Sequence, residues 1–315
     1  MRERRWDPAT GAWTTFTNVP PDRAPDDLEP CPLCRLPVGA YDVLVVEDPL
    51  PPLEPSPPPA HTEAAEPYAV TAAIGASEVV AHAPEHEATF VSLGPKRLED
   101  AIHVWADRYA TLGARPEIGY VLIHAAVGDA AGATLTHPHS RIDAYPEIVP
   151  VPRRELETAR GHLLATDRCV FCDIVASERG DGARVVKAND SFLAFVPFAA
   201  RVPYEVHVLA QRHAPSLLEL TDVERAELAR LLHQVLAGYD RLFDFPLPYV
   251  LAIHQAPTDD GQWQSVSHFH VELTPPHRSA DELRRPYPPE LAGGVHVNPG
   301  VPERSAEQLR AAVGE

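Results

Sequence analysis

The sequence has no apolar run approaching the roughly 18 residues that a membrane-spanning helix needs, so no transmembrane segment is expected. Its start, Met1-Arg2-Glu3-Arg4-Arg5-Trp6, lacks the apolar centre of a secretory signal, and a soluble cytoplasmic protein is expected. Positive charge is also short: 27 lysines and arginines face 45 acidic residues, a formal net charge of −18. A chain this acidic has no basic footprint with which to displace counterions from a polyanion, which argues against nonspecific nucleic-acid binding. Any phosphate it takes must meet a local site. Cysteine is scarce as well, at 4 among 315 residues. The length suits one large domain or two ordinary ones, each able to bury a core.

The few cysteines are not scattered. They form Cys31-Pro32-Leu33-Cys34 and Cys169-Val170-Phe171-Cys172, and two such pairs in a cytosolic chain are more often metal knuckles or redox pairs than structural disulfides. Around them, apolar periodicity marks out the elements. Trp6 to Trp13 reads as strand, turn, strand, and Tyr41–Val46 as a strand. From Pro49 to Pro67 proline is too dense for a helix or a central strand, which predicts a surface loop or disordered flap. Strands are predicted at Tyr68–Ala73 and Glu78–Ala83, a helix over Arg97–Leu112, and strands at Tyr120–His124 and Arg141–Tyr145. After a linking helix around Arg153–Leu164, the order repeats. Strands fall near Arg184–Lys187, Phe192–Val196 and Glu205–Ala210, an amphipathic helix over Thr221–Phe243, and strands at Tyr249–His254 and Phe269–Thr274. The expected class is α+β, with residues 1–165 and 166–315 as two similar halves.

The repeat becomes chemical when ligand types are aligned. One half runs Cys31, Cys34, His86 and His137-x-His139; the other runs Cys169, Cys172, His213 and His268-x-His270, at similar intervals. Each set offers two thiols and two imidazoles, the closed tetrahedral shell that suits Zn²⁺ and leaves no position for substrate. Redox chemistry or plain buried thiols is the alternative for either pair. In Thr136-His137-Pro138-His139-Ser140 the two imidazoles lie two residues apart, so on an extended segment they share a side. If His137 binds metal, His139 is held beside it, and a neutral imidazole is a competent nucleophile toward phosphorus. A second metal ligand or a satisfied core histidine is the competing reading of His139.

The series Trp6-Asp7-Pro8-x-Thr10-Gly11-x-Trp13, Cys31-Pro32-Leu33-Cys34, Pro84-Glu85-His86, His137-Pro138-His139, Pro203-Tyr204-Glu205-Val206-His207, His254-Gln255-Ala256-Pro257 and His268-Phe269-His270 resembles the galactose-1-phosphate uridylyltransferase family of the histidine-triad superfamily. The resemblance covers nearly the whole chain. It implies two fused histidine-triad-like halves of antiparallel sheet with packed helices, usually assembled as a homodimer. It also implies ping-pong nucleotidyl transfer between a nucleotide sugar and a sugar phosphate, with His139 as nucleophile. Cys31, Cys34, His86 and His137 match the first zinc shell. For the second metal the family pattern would point to Glu155, His254, His268 and His270. The Cys169 and Cys172 pair instead favours a zinc set with His213 and His268, as in the nucleotide-sugar phosphorylase branch.

Departures from the pattern cluster where ligands should bind. Arg141 stands where the family has a glutamine that holds the phosphoryl oxygens, which makes it a candidate catalytic residue of altered character. Asp48 replaces an asparagine of the nucleotide pocket, as a ribose contact or as a cap for the turn before Pro49. Ala126 replaces another asparagine. Arg23 matches a phosphate-facing arginine, though it could be a solvated surface residue. Thr134 and the backbone at Gly132 could donate to phosphoryl oxygens, or serve only a turn. Arg284 and Glu290 match positions that face the sugar phosphate. His254 is a substrate or metal contact or a core histidine, and His207 is expected to be structural. Three alternatives follow: a phosphorylase or hydrolase, in which phosphate or water is the acceptor, a divergent nucleotidyltransferase of a biosynthetic pathway that acts on another nucleotide or acceptor, and an inactive nucleotide-binding module.

Overall fold

The computed structural model describes residues 2–17, 31–35 and 41–314. In chain order the first half supplies β1 (Arg2–Asp7), β2 (Ala12–Thr17), β3 (Leu44–Glu47), β4 (Val70–Ala72), β5 (Ala76–Ala81), α1 (Phe90–Gly113), β6 (Tyr120–Val127) and β7 (His139–Tyr145). Helix α2 (Pro150–Thr166) contains the expected boundary at residue 165. The rest of the chain supplies α3 (Val170–Asp181), β8 (Val185–Ala188), β9 (Phe192–Phe195), β10 (Val206–Ala210), α4 (Asp222–Leu242), β11 (Tyr249–His254) and β12 (His270–Thr274). A hairpin β13 (His277–Ser279) and β14 (Glu282–Leu283) and the helices α5 (Pro288–Gly293) and α6 (Pro302–Val313) follow.

Nine strands form one antiparallel sheet in the order β3-β5-β7-β6-β11-β12-β10-β9-β8. The two halves are therefore not separate lobes. They meet edge to edge where β6 pairs β11, with His124 opposite Ala252. Strand alternation gives the sheet two chemically different faces. One carries Val80, Ile123, Ile142, Leu251, Val271 and Val208, all fully buried beneath α1 and α4 in a core that runs through both halves. The other carries His139, Arg141, His124, His254, His270 and Glu272, and is partly roofed by α2 and α3 through Leu156, Ala159 and Val175. The chemistry lies on this second face.

Local signals explain the helix ends. Thr89 and Thr221 each accept from a backbone N–H three residues on, and Ser92 and Glu224 bond back, so both long helices start on capping boxes. Helix α1 begins at Phe90, well before the periodic stretch at Arg97, and is kinked where Gly94 takes φ +77° ahead of Pro95. The proline-rich stretch forms neither helix nor central strand, but it is anchored: Leu53 is fully buried and Glu54 bridges to Ile74. A second sheet, β2-β1-β4, begins with the expected hairpin, whose Trp6 and Trp13 rings lie 5.3 Å apart.

Candidate functional site

The Cys31–Cys34 knuckle, the stretch after β5 and the entry to β7 converge. The ligand atoms of Cys31, Cys34, His86 and His137 all lie within 4.8 Å of one another. Cys34 Sγ is 3.2 Å from His86 Nδ1 and 3.5 Å from His137 Nδ1. The outer nitrogens are engaged: His137 Nε2 donates to the Ala83 carbonyl at 2.7 Å, and His86 Nε2 meets Thr136 Oγ1 at 2.9 Å. Such outer bonds fix the tautomer that turns Nδ1 toward a metal.

The second half repeats the arrangement. Cys169, Cys172, His213 and His268 form an equally tight group. His268 Nδ1 lies 3.8 and 3.7 Å from the two sulfurs, while its Nε2 donates to the Ala210 carbonyl at 2.8 Å. His268 is thus turned away from the alternative shell. Glu155, His254 and His270 gather instead with Glu272, again within 4.8 Å. The space beside that group is about 10 Å³, room for little more than a water. Both Cys₂His₂ groups have the donor set of a structural metal site, and neither holds an open coordination position.

His139 stands apart from the first shell. Its Nδ1–H donates to the His137 carbonyl at 2.8 Å, and its Nε2 has no hydrogen-bond partner among the described residues. Burial holds the ring neutral; with the charge of Arg141 and of neighbouring histidines, it outweighs the carbonyl bond and keeps the pKa at about 4. The following residue is clamped from the opposite face, where Ser140 Oγ accepts from Trp105 Nε1 at 2.8 Å and meets His82 Nε2 at 3.0 Å. A cavity of about 200 Å³ opens beside His139, lined by Thr89, Phe90, Ala126, Gly128, Leu135 and Thr136 among others. A rigid, neutral imidazole with a free lone pair at a cavity is equipped for nucleophilic chemistry.

Two sequence profiles match the chain: galactose-1-phosphate uridyl transferase, N-terminal domain, over residues 41–148, and the C-terminal domain of the same enzyme over residues 155–285. The galactose-1-phosphate uridylyltransferase of Thermotoga maritima is 34% identical, with 98% of each chain aligned. The chain belongs to the galactose-1-phosphate uridylyltransferase family. A solved uridylyltransferase structure superposes with a TM-score of 0.87 at 30% identity, covering 99% of this chain and 98% of its own. The ADP-glucose phosphorylase of Arabidopsis thaliana is more distant, at 24% identity over 98% of this chain and 92% of its own.

Within this uridylyltransferase framework, two of the residues expected to depart from the family pattern, Arg141 and Asp48, are joined to each other. Arg141 Nη1 donates to Asp48 Oδ2 at 2.7 Å, and Asp48 Oδ1 caps the Leu50 N–H at 2.9 Å. Both carboxylate oxygens of Asp48 are thereby engaged, and its side chain is 1% exposed. Gly132 ends a 3-10 turn in the left-handed region, φ +83°, with open space at its Cβ position, so conformation alone calls for glycine. Thr134 follows on the loop leading to His137 and does not line the cavity. Arg284 and Glu290 form an ion pair with one another and do not line it either. Arg23 lies outside the described residues.

Several contributors escaped the sequence reading. His82 and Ser140 anchor the strand that carries His139, Glu272 joins the second-half cluster, and His124 bonds Asp143, which Ser77 also bonds. Each pairing spans tens of residues, so spacing carries no signal of it. His207, expected to be structural, sits between Glu205 and Glu272 at 3.1 and 3.2 Å, and His254 bonds Glu155 at 2.9 Å.

Proposed function

We propose that this chain is a nucleotidyltransferase that works through a covalent nucleotidyl-histidine at His139, with a nucleotide sugar as donor and hexose 1-phosphate as the default acceptor. The His139 Nε2 lone pair forms a bond to the α-phosphorus as the P–O bond to the sugar phosphate breaks, and the electron pair leaves with that oxygen. The second sugar phosphate reverses the step and carries the nucleotidyl group away. The observation behind this reading is the tautomer lock: Nδ1 is committed to the His137 carbonyl while Nε2 stands free at a cavity. Arg141 is assigned to the phosphoryl oxygens, with Arg23, Gly132 and Thr134 on the phosphates and Asp48 as the partner that orients Arg141. Arg284 and Glu290 are assigned to the sugar phosphate.

Two Zn²⁺ ions per chain belong to the same reading, one held by Cys31, Cys34, His86 and His137, the other by Cys169, Cys172, His213 and His268. Zinc bound in these closed shells supplies rigidity rather than Lewis-acid chemistry. A cytoplasmic homodimer completes it, which sedimentation should reveal as a species of twice the 34.4 kDa chain mass.

The test is incubation with UDP-glucose labelled in the α-phosphate. Acid-labile label should remain on the protein and be absent from His139→Ala; label retained by that variant would refute the assignment. A phosphorylase reading is favoured by the Cys169 and Cys172 shell and by the likeness to ADP-glucose phosphorylase. Repeating the assay with ADP-glucose and inorganic phosphate decides between the two, since only a phosphorylase releases free nucleoside diphosphate when phosphate is added.

A further inference from the structure

We infer that His124 is a second phosphoryl-contacting residue of the His139 site, binding the diphosphate of the nucleotide sugar alongside Arg141. The inference rests on the nucleotidyl-transfer reading and adds to it a residue that no motif marks. His124 lies on β6 directly opposite Arg141 on β7, and alternation places both on the sheet face that carries His139. Directly opposing residues on neighbouring strands bring their Cβ atoms to about 5 Å, within reach of a single ligand.

The ring is held for a purpose that packing does not supply. His124 Nε2 donates to Asp143 Oδ2 at 2.9 Å, and the other Asp143 oxygen accepts from Ser77 Oγ at 2.5 Å. Asp143 is itself buried, at 6% exposure. Burial opposes its ionisation, yet the bonds from His124 and Ser77 keep its carboxyl below the usual range. The His124 side chain remains 28% exposed, and its Nδ1 has no hydrogen-bond partner among the described residues. Arg141, also 28% exposed, leans on buried Asp48 in the same way. Two nitrogen donors thus stand side by side across neighbouring strands, each anchored from behind by a buried carboxylate. A guanidinium and a protonated imidazole directly opposite one another would repel, and an anion lying between them would offset that repulsion. A diphosphate is such an anion, and His139 lies on the same sheet face as both donors, although neither donor lines the cavity beside it.

With Nε2–H committed to Asp143, the ring offers an N–H to phosphate only when Nδ1 is also protonated. Binding should therefore weaken as pH rises. The groups facing the ring are Arg141, Asp143 and His139 on β7, with Asp48 behind Arg141, and His254 on β11 diagonal to it beyond Ala252, with Glu155 of α2 bonded to His254.

The experiment measures UDP-glucose and ADP-glucose binding by calorimetry at pH 6 and pH 8 in the zinc-loaded protein. A His139→Ala background prevents turnover, and neither ligand has a diphosphate that titrates in this range. His124→Gln keeps a donor to Asp143 but cannot carry charge. It should bind roughly tenfold more weakly at pH 6 and lose most of the difference between the two pH values. His103→Gln, on α1 across the sheet from the polar face and bonded to Arg225, serves as control and should match the parent. Undiminished, equally pH-dependent binding in His124→Gln overturns the inference while leaving nucleotidyl transfer intact. No binding of either nucleotide sugar by the parent overturns the transfer reading and this one with it. If His124→Gln does not fold, Ser77→Ala decides: weaker binding at pH 6 supports the role, and parental binding overturns it.

Discussion

Arg141 in place of glutamine and Asp48 in place of asparagine look, one at a time, like damage to a ligand pocket. The structure makes them one change, because the two side chains are bonded to each other. Where the family resemblance implies two neutral amides, this chain has an ion pair with the carboxylate buried and the guanidinium partly open. Removing Arg141 alone leaves a buried, unpaired carboxylate, which costs about 1–3 kcal/mol. Arg141→Gln should therefore destabilise the fold, and Asp48→Asn should free the guanidinium and lower activity. The double variant Asp48→Asn/Arg141→Gln should recover at least about 1 kcal/mol relative to the sum of the single losses. Urea titration of the four proteins measures this coupling. Strict additivity would mean that the two departures arose and act separately.

Individual elements differ in how far they could be read from sequence. Helix α4 was legible because Leu228, Leu231, Leu232, Val235, Leu236 and Tyr239 recur at helical spacing and are all buried. Both Cys₂His₂ groups were legible because a knuckle advertises itself by local spacing. Helix α3 was not, since it starts inside the second knuckle and has only Val175 and Glu178 fully buried, which is too weak a stripe to detect. Helix α6 escaped for a similar reason, its core contacts being Ala306 and Leu309. The two knuckles, alike in sequence, brace different things. The first ties His137 to the stretch after β5, and His137 in turn holds His139 through its carbonyl. The second joins α3 to the entry of β12, away from the His139 cavity. Cys34→Ser and Cys172→Ser should each lose about one zinc per chain and lower the melting temperature. Only Cys34→Ser should slow adduct formation severely, by roughly a hundredfold, because small misplacement of a reacting group is costly. Equal slowing in both would show that the shells act on stability alone.

At the scale of the whole molecule, the continuous sheet makes the two halves interdependent. Its pairing of β6 with β11 joins residues more than a hundred positions apart, which is why the sequence implied two fused halves without showing that they share one sheet. The polar face adds a second coupling, in acid. Glu272 and Glu205 are buried beneath the sheet around Arg201 and His207. Burial opposes their ionisation, but His207 and then Arg201, with His254 also acting on Glu272, hold both carboxyls below the usual range. Asp143 and Glu155 are lowered too. A carboxyl whose folded value is depressed contributes stability that is complete above the unfolded value, near pH 4, and is lost as pH falls toward the folded one. The urea midpoint should accordingly drop between pH 6 and pH 3. Because one core runs from Val80 through Ile123 and Leu251 to Val208, fluorescence of Trp105 in the first half and far-ultraviolet dichroism should report a single transition throughout. Glu272→Gln should be less stable than the parent at pH 7, and the gap should narrow at pH 3, where the carboxyl of the unfolded parent has largely taken up its proton while the folded one stays ionised. Two resolved transitions would show that the halves unfold independently despite the shared sheet, and a gap unchanged by pH would show that Glu272 contributes by shape rather than by charge.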